Sequence, residues 1–498
     1  VNIGKGANSV ANNTVLGLSA LDASVTGNFN TAIGAAALTD LTSGAQNTAV
    51  GYNAGGNITT ANFNTFIGST AGSNATTGGN NTAIGQSALT QCTTGSNNTV
   101  VGRNAMPLLT EGTINTGLGS QAFASLTTGD GNVAIGYAAG DAITTANNNT
   151  CVGTASLSAC TTGTGNAAFG INALNASTTA SNNTAIGSNS MKVTTTGDQN
   201  TAVGEDSMVS NTTGSNNVAM GRNALRANTT AGNNTALGDL SLGSNTTGHS
   251  CVAVGKSALK ANTTANNSTA VGRDTLQANT TGANNVAVGS LALYANTTAN
   301  GNTAVGAQAL ESNTTGTPNT AVGFQAMENN TTGTHNVAVG MEALESNTTA
   351  ESNTAVGTFC MIENTTGNSN TAVGRSALGS NQTGASNAAF GRSALSLNTA
   401  SDNTAFGSFA LEDNTSGTRN TAVGLQALGN NTTANDNTAI GRQALLANTT
   451  GANNTAIGKS ALTDNTTASN NTAIGYNCLL ANTTGADNVA VGAGALDA

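Results

Sequence analysis

The sequence predicts an all-β fold, a β-solenoid built from about 29 seventeen-residue turns. The first observation is a fixed repeat: residues 302–318 read NTAVGAQALESNTTGTP, and residues 319–335 read NTAVGFQAMENNTTGTH. A short fixed period decides the architecture before any single residue does. The unit is also shorter than the roughly 33–47 residues of helical-hairpin repeats. Gly, Thr and Asn recur in the units and disfavour helix. Seventeen extended residues cover roughly 56 Å, enough for one turn with two or three sides.

The Gly of the TAVG or TAIG segment marks each unit and is taken as position 0. It recurs at every seventeenth position from Gly17 to Gly391, arrives one position early at Gly407, and then keeps the original spacing to Gly492. The repeat is irregular over residues 1–182 and close to consensus over 183–498. We therefore predict one continuous array over 1–498. Because the sequence begins and ends inside the pattern, we expect it to be a piece of a longer protein.

Composition excludes several classes of function. Only 7% of the 498 residues are charged, the net charge is −10, and the mean hydropathy is −0.11. No apolar run approaches the length of a membrane-spanning helix. The sequence has no stripe of basic residues of the kind that predicts nucleic-acid binding. The six cysteines lack the spacing of metal ligands, so we expect small buried side chains and no metal or cofactor.

Substitutions between units predict which positions face the interior. Position −1 is aliphatic or aromatic in nearly every unit, and position −3 exchanges Thr for Val, as at Val286 and Val337. Both are predicted to face inward, with the period of two of a strand. Position +7 is usually Asn but becomes Leu41 or Ile58, so it is also predicted inward. Stacked inward Asn side chains are expected to form an amide ladder.

Charged residues predict the solvated edges. Of the 36 charged residues, 13 basic and 23 acidic, 28 lie at positions +1, +2, +5 or +6, and seven more lie at +11 or +12. Between these positions lie apolar pairs at +3 and +4, such as Ala309 and Leu310. Neighbouring strand residues point to opposite faces. The pairs therefore predict two buried faces, and hence chains that pack side by side. Position 0 is always Gly, whereas +10 exchanges Gly with Ala and needs no positive φ.

The segment NTAVGxxAL, as in residues 302–310, resembles the SVAIGxxAxA pattern of YadA-like head repeats in trimeric autotransporter adhesins. The whole unit NTAVGxxALxxNTTGxxN is similar to the repeat shafts of phage and bacterial tail-fibre proteins. The resemblance covers essentially the full chain, although its fixed period of 17 departs from the shorter head repeats. It implies a left-handed parallel β-roll, a side-by-side homotrimer and a place outside the cell or on a virion.

We therefore expect a structural extracellular fibre or stalk segment. It would present an adhesive or receptor-binding end away from a cell or virion surface. The expected partners are two further copies of the chain and a host-surface or glycan receptor, with no nucleic acid and no membrane insertion. The alternatives are a cell-surface adhesin that binds along its shaft and an ice-binding β-solenoid. The sequence leaves open whether the filament belongs to an autotransporter or a viral fibre.

Catalysis is not predicted, and no catalytic, cofactor-binding or metal-binding residue is assigned. His249 and His335 are the only histidines, and both lie at the charged +11/+12 edge. Asp402 and Asp413 belong to the same edge pattern.

The Thr pairs at +8 and +9 bear on ice binding and glycosylation. If +7 faces inward, strand alternation predicts +9 inward too, which leaves one outward Thr rank, at +8, and no two-rank ice surface. The same inward Asn at +7 cannot carry a glycan in its NTT sequon. The +8 Thr is then the residue expected to accept O-glycans.

Overall fold

The computed structural model describes residues 3–4 and 10–497, in two compact units, Val1–Ser250 and Cys251–Ala498. The described part of the N-terminal unit holds one two-residue strand and fourteen three-residue strands: β1 Ile3–Gly4, β2 Thr14–Leu16, β3 Thr31–Ile33, β4 Thr48–Val50, β5 Thr65–Ile67, β6 Thr82–Ile84, β7 Thr99–Val101, β8 Thr116–Leu118, β9 Val133–Ile135, β10 Thr150–Val152, β11 Ala167–Phe169, β12 Thr184–Ile186, β13 Thr201–Val203, β14 Val218–Met220 and β15 Thr235–Leu237.

The described part of the C-terminal unit holds fifteen three-residue strands: β16 Val252–Val254, β17 Thr269–Val271, β18 Val286–Val288, β19 Thr303–Val305, β20 Thr320–Val322, β21 Val337–Val339, β22 Thr354–Val356, β23 Thr371–Val373, β24 Ala388–Phe390, β25 Thr404–Phe406, β26 Thr421–Val423, β27 Thr438–Ile440, β28 Thr455–Ile457, β29 Thr472–Ile474 and β30 Val489–Val491. Helix is absent from the described residues of both units.

Within each unit, every three-residue strand pairs in parallel with the equivalent strand of the next turn. In the C-terminal unit, Thr303 lies opposite Thr320, and Val305 lies opposite Val322, the equivalent positions one repeat later. In the N-terminal unit, Thr14 pairs with Thr31 in the same way, whereas β1 runs antiparallel to β2. The predicted parallel β-solenoid with 17-residue turns is confirmed. One continuous array over 1–498 stays a prediction.

The strand presents Ala to the interior, not the larger residues on either side of it. Ala304 and Ala321 are fully buried at position −2, whereas Val305 and Val322 at −1 are 37% exposed, and Thr303 at −3 is half-buried. The prediction that −1 and −3 face the core was therefore wrong. The period of two holds, but its phase is reversed: position −2 faces the interior, usually as Ala and in single turns as Val100 or Phe66.

The apolar pair at +3 and +4 is buried within its own chain. Ala309 and Leu310 are both fully buried, because the backbone turns left-handed at Gln308 (φ 60°) and Leu310 (φ 52°). These residues form turns, where strand alternation does not apply. The inference of two buried faces from this pair was therefore wrong, and Leu310 contributes to the core of its own turn.

Interior positions follow at every third residue after +4. Leu310, Asn313, Gly316 and Asn319 are buried, whereas Thr315 at +9 is exposed. The inward Asn at +7 is confirmed, and its ladder is present: Asn313 Nδ2 donates to Asn296 Oδ1 at 3.0 Å. The prediction that +9 faces inward was wrong, because the backbone here repeats over three residues instead of two.

A second Asn ladder lies at position −4, and it was not predicted from the sequence. The backbone N–H of Asn319 donates to Asn302 Oδ1 at 2.8 Å, and Asn319 Nδ2 donates to the Gly333 carbonyl at 2.8 Å. Asn319 therefore bonds to both neighbouring turns, through its backbone N–H on one side and its side chain on the other. The recurrence of Asn before the TAVG segment was the signal that could have shown it.

Position 0 requires Gly for two independent reasons. Gly306 has a φ of 140°, which other residues rarely adopt, and an added Cβ would lie 2.2 Å from the Gly323 carbonyl oxygen. At +10, Gly316 and Ala299 have no positive φ, as predicted.

The shortened turn between Gly391 and Gly407 keeps its strands in register. Ala388 pairs with Thr404, and the lost residue falls in the loop after Asn398, whose Nδ2 donates to the Ala400 carbonyl at 2.7 Å. The +7 ladder is interrupted here, and Asn381 Oδ1 is buried without a hydrogen-bond partner.

Candidate interaction face

The outward residues of the strands form what we call the outer strand face, the side chains at positions −3 and −1. In the C-terminal unit, Val305, Val322 and Val339 at −1 are each 37% exposed. In-register pairing stacks these side chains into one aliphatic column beside a column of Thr or Val at −3. None of the chain's charged residues lies at either position. The face is therefore an uncharged, half-apolar strip that follows the turns.

The N-terminal unit carries the same face with larger side chains. Ile186, Phe169 and Met220 at −1 are about 40% exposed. In the C-terminal unit, the rings of Phe390 and Phe406 stack on this face at 4.4 Å and 7°, across the shortened turn. Contact between neighbouring turns covers part of each side chain, and the rest faces outward.

Charged columns border the face on both sides of the strand. The residue after each Gly is often basic, and Arg222 at this position pairs with Asp239 of the next turn at 3.2 Å. The residues five and six before each Gly are often acidic. There, Arg419 makes a two-pronged contact with Asp436, at 2.7 and 2.9 Å. This contact lowers the pKa of the Asp436 carboxyl.

Threonine hydroxyls at +8 are used inside the fold. Thr314 Oγ1 donates to the Thr331 carbonyl of the next turn at 3.1 Å, beside the backbone bond from Thr314 N at 3.0 Å. The exposed hydroxyl is that of Thr315 at +9. The expectation that +8 supplies the outward Thr rank was therefore wrong, which also removes the support for O-glycans there.

A stack of glutamates lies on the side of the +5 positions. Glu311, Glu328 and Glu345 occupy successive turns, and Gln308 Nε2 donates to both Glu311 and Glu328, at 2.9 and 3.2 Å. Partial burial, and then the neighbouring carboxylates Glu311 and Glu345, raise the pKa of Glu328. Burial and Glu342 raise the pKa of Glu345.

The remaining titratable side chains do not form a reactive cluster. His249 and His335 are exposed at the edges predicted for them, each beside a hydroxyl, Ser250 Oγ at 3.3 Å and Thr334 Oγ1 at 3.0 Å. No described group of three or more His, Cys, Asp or Glu residues is arranged to hold a metal ion. The described charged residues are all at least partly exposed, as the edge pattern predicted.

All six cysteines are buried, as expected for small interior side chains. Burial raises the pKa of the Cys92 and Cys160 thiols to about 11 and that of Cys360 to about 12. Thiols in this state are poor nucleophiles.

Sequons divide into two sets by burial. The Asn of the NTT triplets is buried in the +7 ladder, as Asn313 shows, so those triplets are closed to modification. The Asn at +12, such as Asn80 or Asn453 in an NNT triplet, is exposed.

No protein-family model matches the chain, and no curated protein sequence is significantly similar to it. Over the described residues, the structure also contains no helix with the length and apolarity needed to cross a bilayer.

Proposed function

We propose that this chain is a structural fibre or stalk segment that assembles as a side-by-side homotrimer of left-handed β-rolls. The observation that carries the proposal is the outer strand face, an aliphatic column without a single charge that recurs from turn to turn. Soluble monomers rarely leave such a long apolar surface open, and large exposed apolar strips mark interaction sites.

The magnitude of the effect is sufficient for association. Fully burying a Val or Ile stabilises by about 1.5–3 kcal/mol, so covering the exposed third gives about 0.5–1 kcal/mol per turn. Over the fifteen strands of the C-terminal unit this sums to on the order of 10 kcal/mol. Association costs an estimated 4–15 kcal/mol in lost freedom of movement. The face of one unit is therefore already comparable with the cost of assembly.

The wider role rests on the resemblance of the repeat. YadA-like heads and tail-fibre shafts suggest an extracellular place, on a cell or a virion, and an adhesive or receptor-binding end held away from that surface. A host-surface or glycan receptor is the partner that such an end would take. The repeated turns and the absence of a metal-holding cluster among the described residues favour a structural role over an enzymatic one.

The test is the mass of the purified chain in solution, measured by light scattering. We expect three times the chain mass of 48.3 kDa. Replacing Val322 and Val339 with Lys introduces charges into the apolar column and is expected to abolish the assembly. Thr315→Lys, at an exposed +9 position off the face, is the matched control and is expected to leave the mass unchanged. A stable wild-type monomer overturns the proposal.

Ice binding is the second candidate, because the outer strand face has the two regular ranks that the Thr pairs lack. Thr303 and Val305 point outward from one flat strand, and the next turn repeats them in register about 4.8 Å away. A face covered by partner chains cannot bind ice, so the two functions exclude each other. Thermal hysteresis that a monomeric wild type shows and the Val322→Lys variant lacks would support ice binding over the trimeric fibre.

A further inference from the structure

The residues that directly follow the position-0 Gly, at +1, form a column beside the outer strand face. In the C-terminal unit this column holds six cations and no anion. Four of the cations, Arg375, Arg392, Arg442 and Lys459, fall within six successive turns. At about 4.8 Å per turn, the first and the last are about 24 Å apart. We call the +1 side chains from Arg375 to Tyr476 the cation strip.

The cations of the strip form two stacked pairs. The backbone N–H of Ser460 donates to the Arg442 carbonyl of the preceding turn at 3.0 Å, so Lys459 lies directly beside Arg442, one turn further on. Arg392 follows Arg375 in the same way. Like charges at neighbouring positions of stacked strands are destabilising. Both pairs therefore carry a repulsion that an external anion would relieve.

The fold can neutralise a cation at +1, but it does not do so on the strip. In the N-terminal unit, Arg222 pairs with Asp239, the +1 residue of the next turn, at 3.2 Å. Among the described residues, no carboxylate lies within ion-pair distance of any cation of the strip. Glu412, at +5, attracts Arg392 only from further away. The four cations are exposed and therefore available to a ligand.

Aromatic and aliphatic side chains lie between and beside these cations. The Arg392 guanidinium lies over the Phe409 ring at 5.1 Å, and Lys459 Nζ lies over the Tyr476 ring at 5.4 Å. Attraction to the ring face helps to hold each cation in place. Tyr476 is 53% exposed and Leu425 is 43% exposed. The strip therefore combines positioned cations with apolar surface.

This combination fits a linear polysaccharide that carries carboxylates, a polyuronic acid. Guanidinium groups bind carboxylates through paired hydrogen bonds. The apolar faces of pyranose rings can cover the exposed surfaces of Leu425 and Tyr476. One sugar advances about as far along an extended glycan as one turn advances along this fold. Nucleic acid fits less well, because it carries a phosphate about every 3.4 Å along each strand, and the strip has only four cations.

We propose that the cation strip binds a linear, carboxylate-bearing polysaccharide that lies along the direction in which the turns stack. The inference rests on the proposed function, which expects a glycan receptor, and it places that receptor on the side of the segment instead of at an end. The Arg and Lys side chains bind the carboxylates, and Leu425 and Tyr476 contact the sugar rings. The strip lies beside the outer strand face, so the glycan and the partner chains use different side chains.

The first test measures the affinity of the full chain for a fluorescently labelled oligogalacturonate by fluorescence anisotropy. Arg392→Ser is expected to weaken binding about threefold, and replacing all four cations with Ser roughly 100-fold. Ser already occupies this position at Ser408, so the substitution suits the fold. Arg419→Ser removes an exposed cation from the same stretch of turns, on the other side of the strand, and is the matched control. It is expected to leave the affinity unchanged.

The second test separates the contact with the sugar rings from the effect of charge. Tyr476→Ser is expected to weaken binding about threefold without changing how the affinity depends on salt concentration. The variant without the four cations is expected to lose that dependence, because salt screens contacts between exposed charges. An uncharged dextran should not bind, and a single-stranded oligodeoxynucleotide with the same number of charges should bind more weakly than the oligogalacturonate.

The mass of each sample, measured by light scattering, separates the two proposals. A trimer that does not bind the oligogalacturonate, or binds it equally well without the four cations, overturns this inference and leaves the fibre proposal intact. A monomer that binds it through the four cations supports the strip and overturns only the trimer. Equal or tighter binding of the oligodeoxynucleotide overturns the assignment of a polysaccharide as the ligand.

Discussion

The early turns of the N-terminal unit and the turns of the C-terminal unit fill one interior site with opposite chemistry. At position +7 the early turns place hydrocarbon, such as Leu41, Ile58 and Leu126, whereas the C-terminal unit places a ladder of Asn such as Asn313 and Asn330. All five side chains are fully buried. In each unit the described three-residue strands nevertheless keep parallel register at 17-residue intervals, except at the shortened turn, where the interval is 16.

The difference teaches that the interior is specified by agreement between neighbouring turns. A buried amide needs hydrogen-bond partners, because an unpaired polar group in the interior costs free energy, and in the ladder the neighbouring turn supplies one of them. A buried Leu needs only complementary volume. The features common to both regions are the Gly at position 0 and the Asn ladder at −4, and these set the stacking of the backbone.

The volume of interior side chains is also matched between neighbouring positions. Gly72 replaces the usual Leu at +4, and Phe66 replaces the usual Ala at −2 of the same turn. An added Cβ on Gly72 would lie 2.6 Å from the Phe66 ring. The aromatic ring therefore occupies the space that a Leu side chain occupies in other turns.

The largest effect is expected from removing that ring. Phe66→Ala should destabilise its turn by about 3–5 kcal/mol, since it empties a closed interior. Adding Gly72→Leu restores the consensus pair on a backbone whose φ of 59° already suits the site, close to the 52° of Leu310, and should recover most of the loss. Hydrogen exchange of the turn measures both. Phe63→Ala, at a ring that is 56% exposed, is the control, and an equal loss there would contradict the assignment.

The second-largest effect is the loss of stability when the Gly at position 0 is replaced, and it should be equal in the two regions. Gly85→Ala and Gly306→Ala each place a Cβ within 2.5 Å or less of the next turn's carbonyl oxygen, at a φ above 130°. We expect about 2–4 kcal/mol of destabilisation for each, measured by local hydrogen exchange. Gly379→Ala has no neighbouring atom closer than 3.4 Å and is the matched control. A mild effect in one region alone would show that stacking is not set by this residue.

The third prediction separates the two regions. Asn330→Leu leaves Asn313 Oδ1 without the donor that now lies at 2.9 Å, and takes from Asn347 Nδ2 its 2.7 Å acceptor. We expect a loss of about 1–3 kcal/mol. Leu126→Asn, in the apolar region, buries an amide without a neighbouring ladder and should cost a similar amount.

Block replacement makes the third prediction sharper. Suppose that Asn330, Asn347 and Asn364 are changed together to Leu. Amide groups then lose their hydrogen-bond partners only at the two ends of the block. The triple variant should therefore lose much less than three times the single one, as judged by thermal unfolding. Additive losses would mean that the ladder does not act cooperatively.

The smallest effect concerns the pH dependence of stability that the glutamate stack gives to the C-terminal unit. The pKa of Glu328 is raised in the folded chain, so the folded state disfavours the charged form. Stability should therefore fall as pH rises from the usual value of 4.5 through the folded pKa, and then stay constant. Glu328→Gln should flatten this dependence and raise the unfolding temperature at neutral pH, by about 0.5 kcal/mol for a screened surface group. Glu351→Gln, outside the stack, should leave the slope in place.

The sequence was sufficient for the turn length, the solvated edges and the inward +7 position, because each follows from a strict period or from exchange between equivalent residues. It was insufficient for the phase of the strand. Val305 is more hydrophobic than Ala304, yet Ala304 is inside, so hydrophobicity alone points to the wrong residue. It was also insufficient for the turn at Leu310, since bulky residues rarely adopt a positive φ and no sequence rule predicts one there.

The candidate face was therefore identified only after the structure had corrected the sequence prediction. Side-by-side packing was inferred from Ala309 and Leu310, which are buried in their own chain. The aliphatic column at −1 now carries that inference. Exposed Val and Ile flanking a small residue are a recognisable signal, since β-branched side chains favour half-buried strand surfaces.

The shortened turn at Gly391 has a consequence for how such a chain can change. One residue is missing from the loop after Asn398, yet the strands on both sides remain aligned, and the nearby defect is the unpartnered oxygen of Asn381. The loss of one residue from this loop therefore leaves the strand alignment unchanged. A foreign peptide inserted beside Thr399 would be displayed at the surface, and repeating the insertion in successive turns would space copies of it at intervals of about 4.8 Å.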